Sequence, residues 1–90
     1  MVINMKIGMC GSLESNDCII TVKESSVIEN EIKINSIVSD FFFDQIYSVI
    51  DATLNEKSIK NVLVECNDKG ALDFTIKARL LCALERYFGE

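Results

Sequence analysis

Residues 31–66 read EIKINSIVSDFFFDQIYSVIDATLNEKSIKNVLVEC, and this stretch decides the fold. Apolar and polar side chains alternate along residues 31–35 and again along residues 61–66, a pattern typical of half-buried strands. Between the two strands, apolar residues recur at helical spacing as far as about Leu54. A strand, a helix and a strand in this order form a crossover, so we predict parallel strands with a right-handed connection.

The predicted helix needs a cap and a buried stripe. Ser36 or Ser39 is expected to cap it, with Asp40 in its first turn near the positive end of the helix. Phe41 and Phe43 widen the stripe that is expected to face the core, which consists of Val38, Phe42, Ile46 or Gln45, Val49, Ile50 and Thr53. A narrow stripe cannot bury all three phenylalanines of residues 41–43, which leaves a partner contact open there.

Two apolar runs upstream of the crossover predict a β-hairpin. Residues 6–14 form one predicted strand, interrupted by two glycines, and residues 18–23 form the other. Residues 15–17 between them, Ser-Asn-Asp, are turn formers. The hairpin therefore places Ser15 near its tip.

The region after the crossover completes the predicted fold. Residues 67–70 predict a turn, and apolar residues at helical spacing from Leu72 to about Phe88 predict a second helix. The order is β-β-β-α-β-α, and each helix has one apolar stripe that a sheet must cover. We predict an α+β fold: a two-layer α/β sandwich with two helices on one face of a mixed sheet and an N-terminal β-hairpin. Residues 1–90 are expected to form a single domain.

Composition excludes several classes of function. The chain has a formal net charge of −5, which gives no basic footprint for nucleic acid, and it has no histidine. A Ser-His-Asp or Cys-His site within this chain is therefore excluded, as are most zinc and haem arrangements. The four cysteines form no Cys-x-x-Cys pair and lie among apolar neighbours, which predicts reduced, mostly buried thiols. Neither a signal peptide nor a membrane-spanning run is evident, so we expect a cytoplasmic location.

Two segments resemble motifs of the citrate lyase acyl carrier proteins, also called gamma subunits. Residues 11–17, Gly-Ser-Leu-Glu-Ser-Asn-Asp, resemble the family's Gly-Thr-Leu-Glu-Ser-x-Asp segment. Residues 68–73, Asp-Lys-Gly-Ala-Leu-Asp, and residues 76–80, Ile-Lys-Ala-Arg-Leu, resemble its second signature near the C-terminus. The resemblance extends from about residue 7 to residue 86, with both motifs in the family's order.

The resemblance implies that Ser15 bears a covalent 2'-(5''-phosphoribosyl)-3'-dephospho-CoA group, linked through a phosphodiester. Glu14 and Asp17 flank this serine and would orient the turn or be recognised by the prosthetic-group transferase. The chain would be a non-catalytic carrier subunit of citrate lyase. It would present acetyl and citryl thioesters to the alpha (transferase) and beta (lyase) subunits while citrate is cleaved to acetate and oxaloacetate. Neither nucleic acid nor membrane is an expected partner.

Several alternatives stay open at this point. By residue type alone, Ser15 is an ordinary turn former. Gly70 meets a backbone requirement at the entry to the second helix, where free amides are also able to accept an anion. Lys77 and Arg79 either bind the cofactor's phosphates or form a solvated helix face, and the pattern favours the solvated face. The alternative functions are an acyl carrier subunit of malonate decarboxylase and a non-covalent protein-interaction module, since fold alone does not settle function.

Overall fold

The structure is a computed structural model that describes residues 6–37 and 42–89. Its elements follow the predicted order β-β-β-α-β-α. They are β1 (Ile7–Gly11), β2 (Cys18–Glu24), β3 (Glu31–Ser36), α1 (Phe43–Glu56), β4 (Val62–Asp68) and α2 (Asp73–Gly89). In the part of the chain so described, no helix is long and apolar enough to cross a membrane.

The four strands form one mixed sheet in the order β1-β2-β4-β3. The hairpin strands β1 and β2 are antiparallel, and β2 is also antiparallel to β4. Strands β3 and β4, which flank α1 in the chain, are parallel, with Ile34 opposite Cys66. The predicted parallel pairing of the crossover strands is therefore confirmed.

Alternation along the two central strands places one set of side chains under the helices. On β2 and β4 every second residue is buried, and the residues between them are half-buried or exposed. The helices contribute their apolar stripes to the same core, which includes Ile20, Val22, Val62, Val64, Ile50, Leu54, Ile76 and Leu80. Because burial of apolar surface provides most of the favourable free energy of folding, this single layer of contacts holds the helices on the sheet. The predicted two-layer α+β sandwich is confirmed.

Close packing of α2 on the edge strand β1 depends on Gly8. A Cβ atom built there would lie 2.1 Å from the carbonyl oxygen of Ala83 and 2.5 Å from the amide nitrogen of Tyr87. Both are backbone atoms of the helix, so no side-chain rotation relieves the contact. The glycine that weakens the strand pattern in the sequence is therefore the residue that lets the helix approach the sheet.

The start of α1 differs from the prediction. Ser36 is the last residue of β3 rather than a helix cap, and α1 begins at Phe43 after an N-cap, Phe42, that provides no side-chain hydrogen bond. Phe42 is 43% exposed, so its assignment to the core is wrong. The predictions for residues 38–41 (Val38, Ser39, Asp40 and Phe41) lie outside the described residues.

The cysteine prediction is confirmed for the interior. Cys10, Cys18 and Cys66 are buried and Cys82 is half-buried, and all four are free thiols. The hydrogen bond that the Cys66 thiol donates to Cys18, together with burial, raises the pKa of the Cys66 thiol. Since the thiolate is the reactive form, this side chain is an inert part of the core.

Candidate functional site

The hairpin tip is a defined β-turn with Ser15 at its exposed corner. The amide of Asp17 donates to the carbonyl of Glu14 at 3.1 Å, and Asn16 adopts a φ of +67°. A positive φ at the third residue is the signature of a type II turn, where asparagine is tolerated. Ser15 is exposed, and its hydroxyl makes no hydrogen bond to any residue of the described ranges. The hydroxyl is therefore available to an external reagent.

The carboxylate of Asp17 stabilises the turn through hydrogen bonds to the rest of the protein. Its carboxylate accepts a hydrogen bond from the Ser12 hydroxyl at 2.7 Å and another from the Cys18 amide at 2.7 Å. Arg79 of α2 binds the same carboxylate through Nε at 3.0 Å and Nη2 at 2.8 Å, a bidentate pair. The Arg79 guanidinium first, then the Ser12 hydroxyl and the Cys18 amide, hold the pKa of Asp17 well below its usual range. This carboxylate stays ionised and engaged within the protein.

A second attachment joins the turn to the loop between β4 and α2. The Asn16 amide donates to the Lys69 carbonyl at 2.8 Å, and the Lys69 amide donates to the Asp17 carbonyl at 2.8 Å. Gly70, with a φ of +92°, lies beside Asn16, whose Oδ1 would be 3.5 Å from a Cβ at that position. The fold thus brings the two segments quoted from the sequence, residues 11–17 and residues 68–73, into direct contact.

The loop itself is organised by a buried carboxylate that the sequence did not predict. Asp68 is 1% exposed and ends β4, where a turn was expected. It accepts hydrogen bonds from the Ser36 hydroxyl at 2.8 Å, the Gly70 amide at 3.1 Å and the Ala71 amide at 2.9 Å. The predicted backbone requirement at Gly70 is confirmed by its positive φ. The amides of Gly70 and Ala71 are occupied by Asp68, so neither is free to accept an anion.

The remaining charged candidates separate into two groups. Arg79 is bound to Asp17 and does not belong to a solvated helix face, so that prediction is wrong for this residue. Lys77 is partly exposed and pairs with Glu56 at 3.3 Å, as expected for a helix surface. The Glu14 carboxylate is exposed and makes no hydrogen bond or ion pair with the described part of the chain. It is thus the acidic neighbour of Ser15 that a partner protein is able to contact.

The chemistry available at the tip is that of an acceptor. Within residues 6–37 and 42–89, no cluster of three or more potential ligands is arranged to hold a metal ion. No histidine exists to act as a base, and an unassisted serine hydroxyl is a poor nucleophile. The arrangement suits a hydroxyl to which a separate enzyme transfers a group.

The chain is similar to several known proteins. A family model described as ACP, malonate decarboxylase delta subunit (MdcD), matches residues 5–87. The citrate lyase acyl carrier protein of Streptococcus mutans is 45% identical over 78 residues, which cover 87% of this chain and 76% of the relative. The Treponema denticola protein of the same name is 42% identical, with 87% of each chain covered, and that of Lacticaseibacillus casei is 49% identical, with 84% and 74% covered.

A solved structure shows the same fold. A chain of the Pseudomonas malonate decarboxylase hetero-tetramer in complex with malonate superimposes with a TM-score of 0.71. The alignment covers 93% of this chain and 88% of the other at 14% sequence identity. At that identity the similarity concerns the fold alone.

Proposed function

The chain belongs to the citrate lyase acyl carrier protein family, and on this premise we propose that Ser15 is the covalent attachment site of its prosthetic group. The acyl carrier role follows from the family. The proposal adds that residues 1–90 act as one carrier domain within a cytoplasmic citrate lyase complex of alpha and beta subunits. The proposed group is 2'-(5''-phosphoribosyl)-3'-dephospho-CoA, transferred to the serine by a separate enzyme.

One observation carries the choice of Ser15. Its hydroxyl is exposed at the corner of the turn and free of internal hydrogen bonds among the described residues. The other hydroxyl of the motif, that of Ser12, donates to Asp17 at 2.7 Å and accepts from the Glu14 amide at 3.2 Å. Modification of Ser12 would remove the hydrogen that its hydroxyl donates to Asp17, whereas modification of Ser15 breaks no hydrogen bond within the described residues. The tip therefore fits a bulky phosphodiester at Ser15.

The chain's own residues position the group and supply no acid or base for the reaction. When bound, the group supplies a thiol on a long arm that bears the acyl substrate. Asp17 and Arg79 fix the turn from within, so the attachment point stays at one place on the surface. The exposed Glu14 is assigned to recognition by the transferase that loads the serine.

A carrier role in malonate decarboxylase is the second candidate. The description of the matching family model favours it, and the related hetero-tetramer has the same fold in one of its chains. The relatives at 40–49% identity carry the citrate lyase name, and we weight them above a fold similarity at 14% identity. Purification of the native complex discriminates between the two, because a citrate lyase complex releases oxaloacetate from citrate and a decarboxylase complex releases carbon dioxide from malonate.

The attachment site is tested by mass spectrometry of protein from its native host grown on citrate. Trypsin leaves Ser12 and Ser15 together in the peptide of residues 7–23. Cleavage after glutamate separates them, because Glu14 lies between the two serines. We expect the increment of the phosphoribosyl-dephospho-CoA group on the peptide of residues 15–24 and none on the peptide of residues 1–14.

Two variants provide the matched controls. Ser15→Ala should abolish the increment, whereas Ser12→Ala should retain it, since the variant loses only the bonds of the Ser12 hydroxyl to Asp17 and to the Glu14 amide and leaves the Ser15 hydroxyl in place. An active native complex with unmodified residues 15–24 would overturn the assignment and favour a non-covalent interaction module. An increment on residues 1–14 would move the attachment to Ser12.

A further inference from the structure

An apolar groove opens beside the loop between β4 and α2, to which the hairpin tip is hydrogen-bonded. It lies between the N-terminal ends of α1 and α2 and has a volume of about 480 Å³. Its walls include Ile46 from α1, Ala71 and Leu72 from the loop before α2, and Phe74 from the first turn of α2. Leu72 is 60% exposed and Phe74 is 72% exposed, so two large apolar side chains at the mouth of the groove lie in water. The volume is within the range of small-molecule sites, which are mostly apolar clefts of about 300–1,000 Å³.

The groove is connected to the proposed attachment site by short contacts. Gly70 lines the groove and lies against Asn16, the residue that follows Ser15. The Asn16 amide is bonded to Lys69, the residue before Gly70. The residue that follows Ser15 in the chain is therefore a neighbour of the groove lining.

The polar lining selects for an uncharged occupant. Gln45 donates its side-chain amide to both carboxylate oxygens of Asp73, at 3.0 and 3.1 Å, across the groove from α1 to α2. Asp68 is the second acid of the lining, and its oxygens are occupied by Ser36 and by the loop amides. Among the described lining residues there is no lysine or arginine. An anion would meet two carboxylates and no cation, whereas an amide-containing apolar chain would meet apolar walls and the polar atoms of Gln45.

We propose that this groove is an intramolecular binding site for the uncharged pantetheine portion of the arm attached at Ser15. The inference rests on the proposed function, because it requires the arm. Pantetheine combines geminal methyl groups with two amides, which matches apolar walls interrupted by one amide. Between visits to partner active sites, the end of the arm lies against Leu72 and Phe74 and covers apolar surface that is otherwise exposed.

Weak intrinsic affinity is sufficient for such a site. A short flexible tether gives a local concentration on the order of 1 mM, so an intrinsic Kd of about 1 mM gives about half occupancy. A partner active site that binds the arm more tightly then removes it from the groove at a small cost in free energy. The groove thus suits a carrier whose arm must be both protected and easily released.

Nuclear magnetic resonance of the full chain, prepared with and without the arm, tests the proposal. The loaded form is made by co-expression with the prosthetic-group transferase, and an intact mass measurement establishes the adduct at Ser15 before any spectrum is interpreted. In the loaded form we expect amide shift changes at Gln45, Leu72 and Phe74, and nuclear Overhauser contacts from the arm's methyl groups to Phe74. Changes confined to residues 12–17 and Lys69 would show a free arm and overturn the inference while leaving the attachment intact.

Matched variants separate the groove from a general surface effect. Leu72→Ser removes an apolar wall but keeps the fold, because Leu72 is the N-cap of α2 and serine is a favoured N-cap residue. Ile28→Ser removes an even more exposed aliphatic side chain that lies outside the groove lining. We expect Leu72→Ser to reduce the methyl contacts at least twofold and Ile28→Ser to leave them unchanged. Equal contacts in both variants would overturn the groove, and a missing adduct in the mass measurement would instead overturn the attachment proposal itself.

Discussion

Replacement of Asp68 by alanine is the sharpest test of how the tip is supported. The carboxylate is buried at the end of β4 and accepts three hydrogen bonds, from the Ser36 hydroxyl and the amides of Gly70 and Ala71. All three donors belong to half-buried residues, so water replaces the lost acceptor only in part. Alanine offers no acceptor, so each of the three donors loses its hydrogen bond to the carboxylate.

The expected cost follows from those three donors. Loss of a hydrogen bond to a buried carboxylate costs about 1–3 kcal/mol, and half-burial places each of these three losses near 1 kcal/mol. The total is about 3 kcal/mol, with about half that for Asp68→Asn, which retains one acceptor oxygen. A domain of 90 residues has a free energy of unfolding of about 5–14 kcal/mol, so the loss is a large fraction of it.

Urea unfolding followed by circular dichroism measures this effect. For a domain of this size the slope is slightly above 1 kcal/mol/M, so the Asp68→Ala midpoint should fall by about 2–3 M. Asn67→Ala is the matched control, because Asn67 is the neighbouring residue on the open face of β4 and is half-buried. We expect a change within about 0.5 kcal/mol for the control. Equal midpoints for Asp68→Ala and Asn67→Ala would refute the role assigned to the buried carboxylate.

Hydrogen exchange links the same variant to the hairpin tip that bears the candidate site. The Asn16 amide donates to the Lys69 carbonyl, and Lys69 belongs to the loop that Asp68 organises. Asp68→Ala should therefore speed exchange of the Asn16 amide more than exchange of amides in the centre of β2. Exchange at Asn16 that follows global unfolding alone would contradict a local coupling between loop and turn.

Three further predictions concern other parts of the fold. Arg79→Met should raise the pKa of Asp17 toward its ordinary value of 3.8, as measured by carboxyl chemical shifts. Because the pKa of Asp17 is lowered in the folded protein, the stabilisation from this pair is complete above pH 3.8 and is lost as the pH falls through the folded-state pKa. Unchanged titration in the variant would contradict the bidentate contact. Gly8→Ala should cost about 3 kcal/mol in urea unfolding, because the new methyl meets helix backbone, whereas Gly89→Ala, with open space around it, should change stability by about 0.5 kcal/mol or less. In the folded protein a thiol reagent should titrate the cysteines slowly, led by the half-buried Cys82, with full reaction after denaturation; fast reaction of all four would contradict the buried core.

The periodic parts of the fold were predictable because their signals are local. Alternation along β2 and β4 and the helical spacing of Ile46, Ile50 and Thr53 depend only on which face of an element is buried. The turn at residues 15–17 was equally local, since Asn16 adopts the positive φ that its residue type tolerates. These features required no knowledge of distant neighbours.

The wrong predictions concern residues whose structural role depends on a residue far away in the sequence. Asp68 looks like a turn residue by type, but Ser36 and the following loop satisfy its carboxylate and allow it to end a buried strand. Arg79 lies 62 residues from Asp17, and nothing in the spacing of either residue indicates that they meet. The only sequence signal for the pair is that each residue lies within one of the two family-like motifs.

The double attachment of the hairpin tip has a mechanical consequence for the complex. Because Arg79 and Lys69 both hold the turn, the point from which the proposed arm at Ser15 would depart is fixed relative to the rest of the domain. The end of such an arm would then reach the points of a spherical cap that is centred on Ser15. The radius of this cap equals the length of the arm. Successive active sites of the partner subunits must lie on or within that cap for one carrier to serve them all. A more flexible tip would enlarge the volume that the arm reaches but would lower the local concentration of its end within that volume. The rigidity of the tip therefore limits where the active sites of the partner subunits are placed.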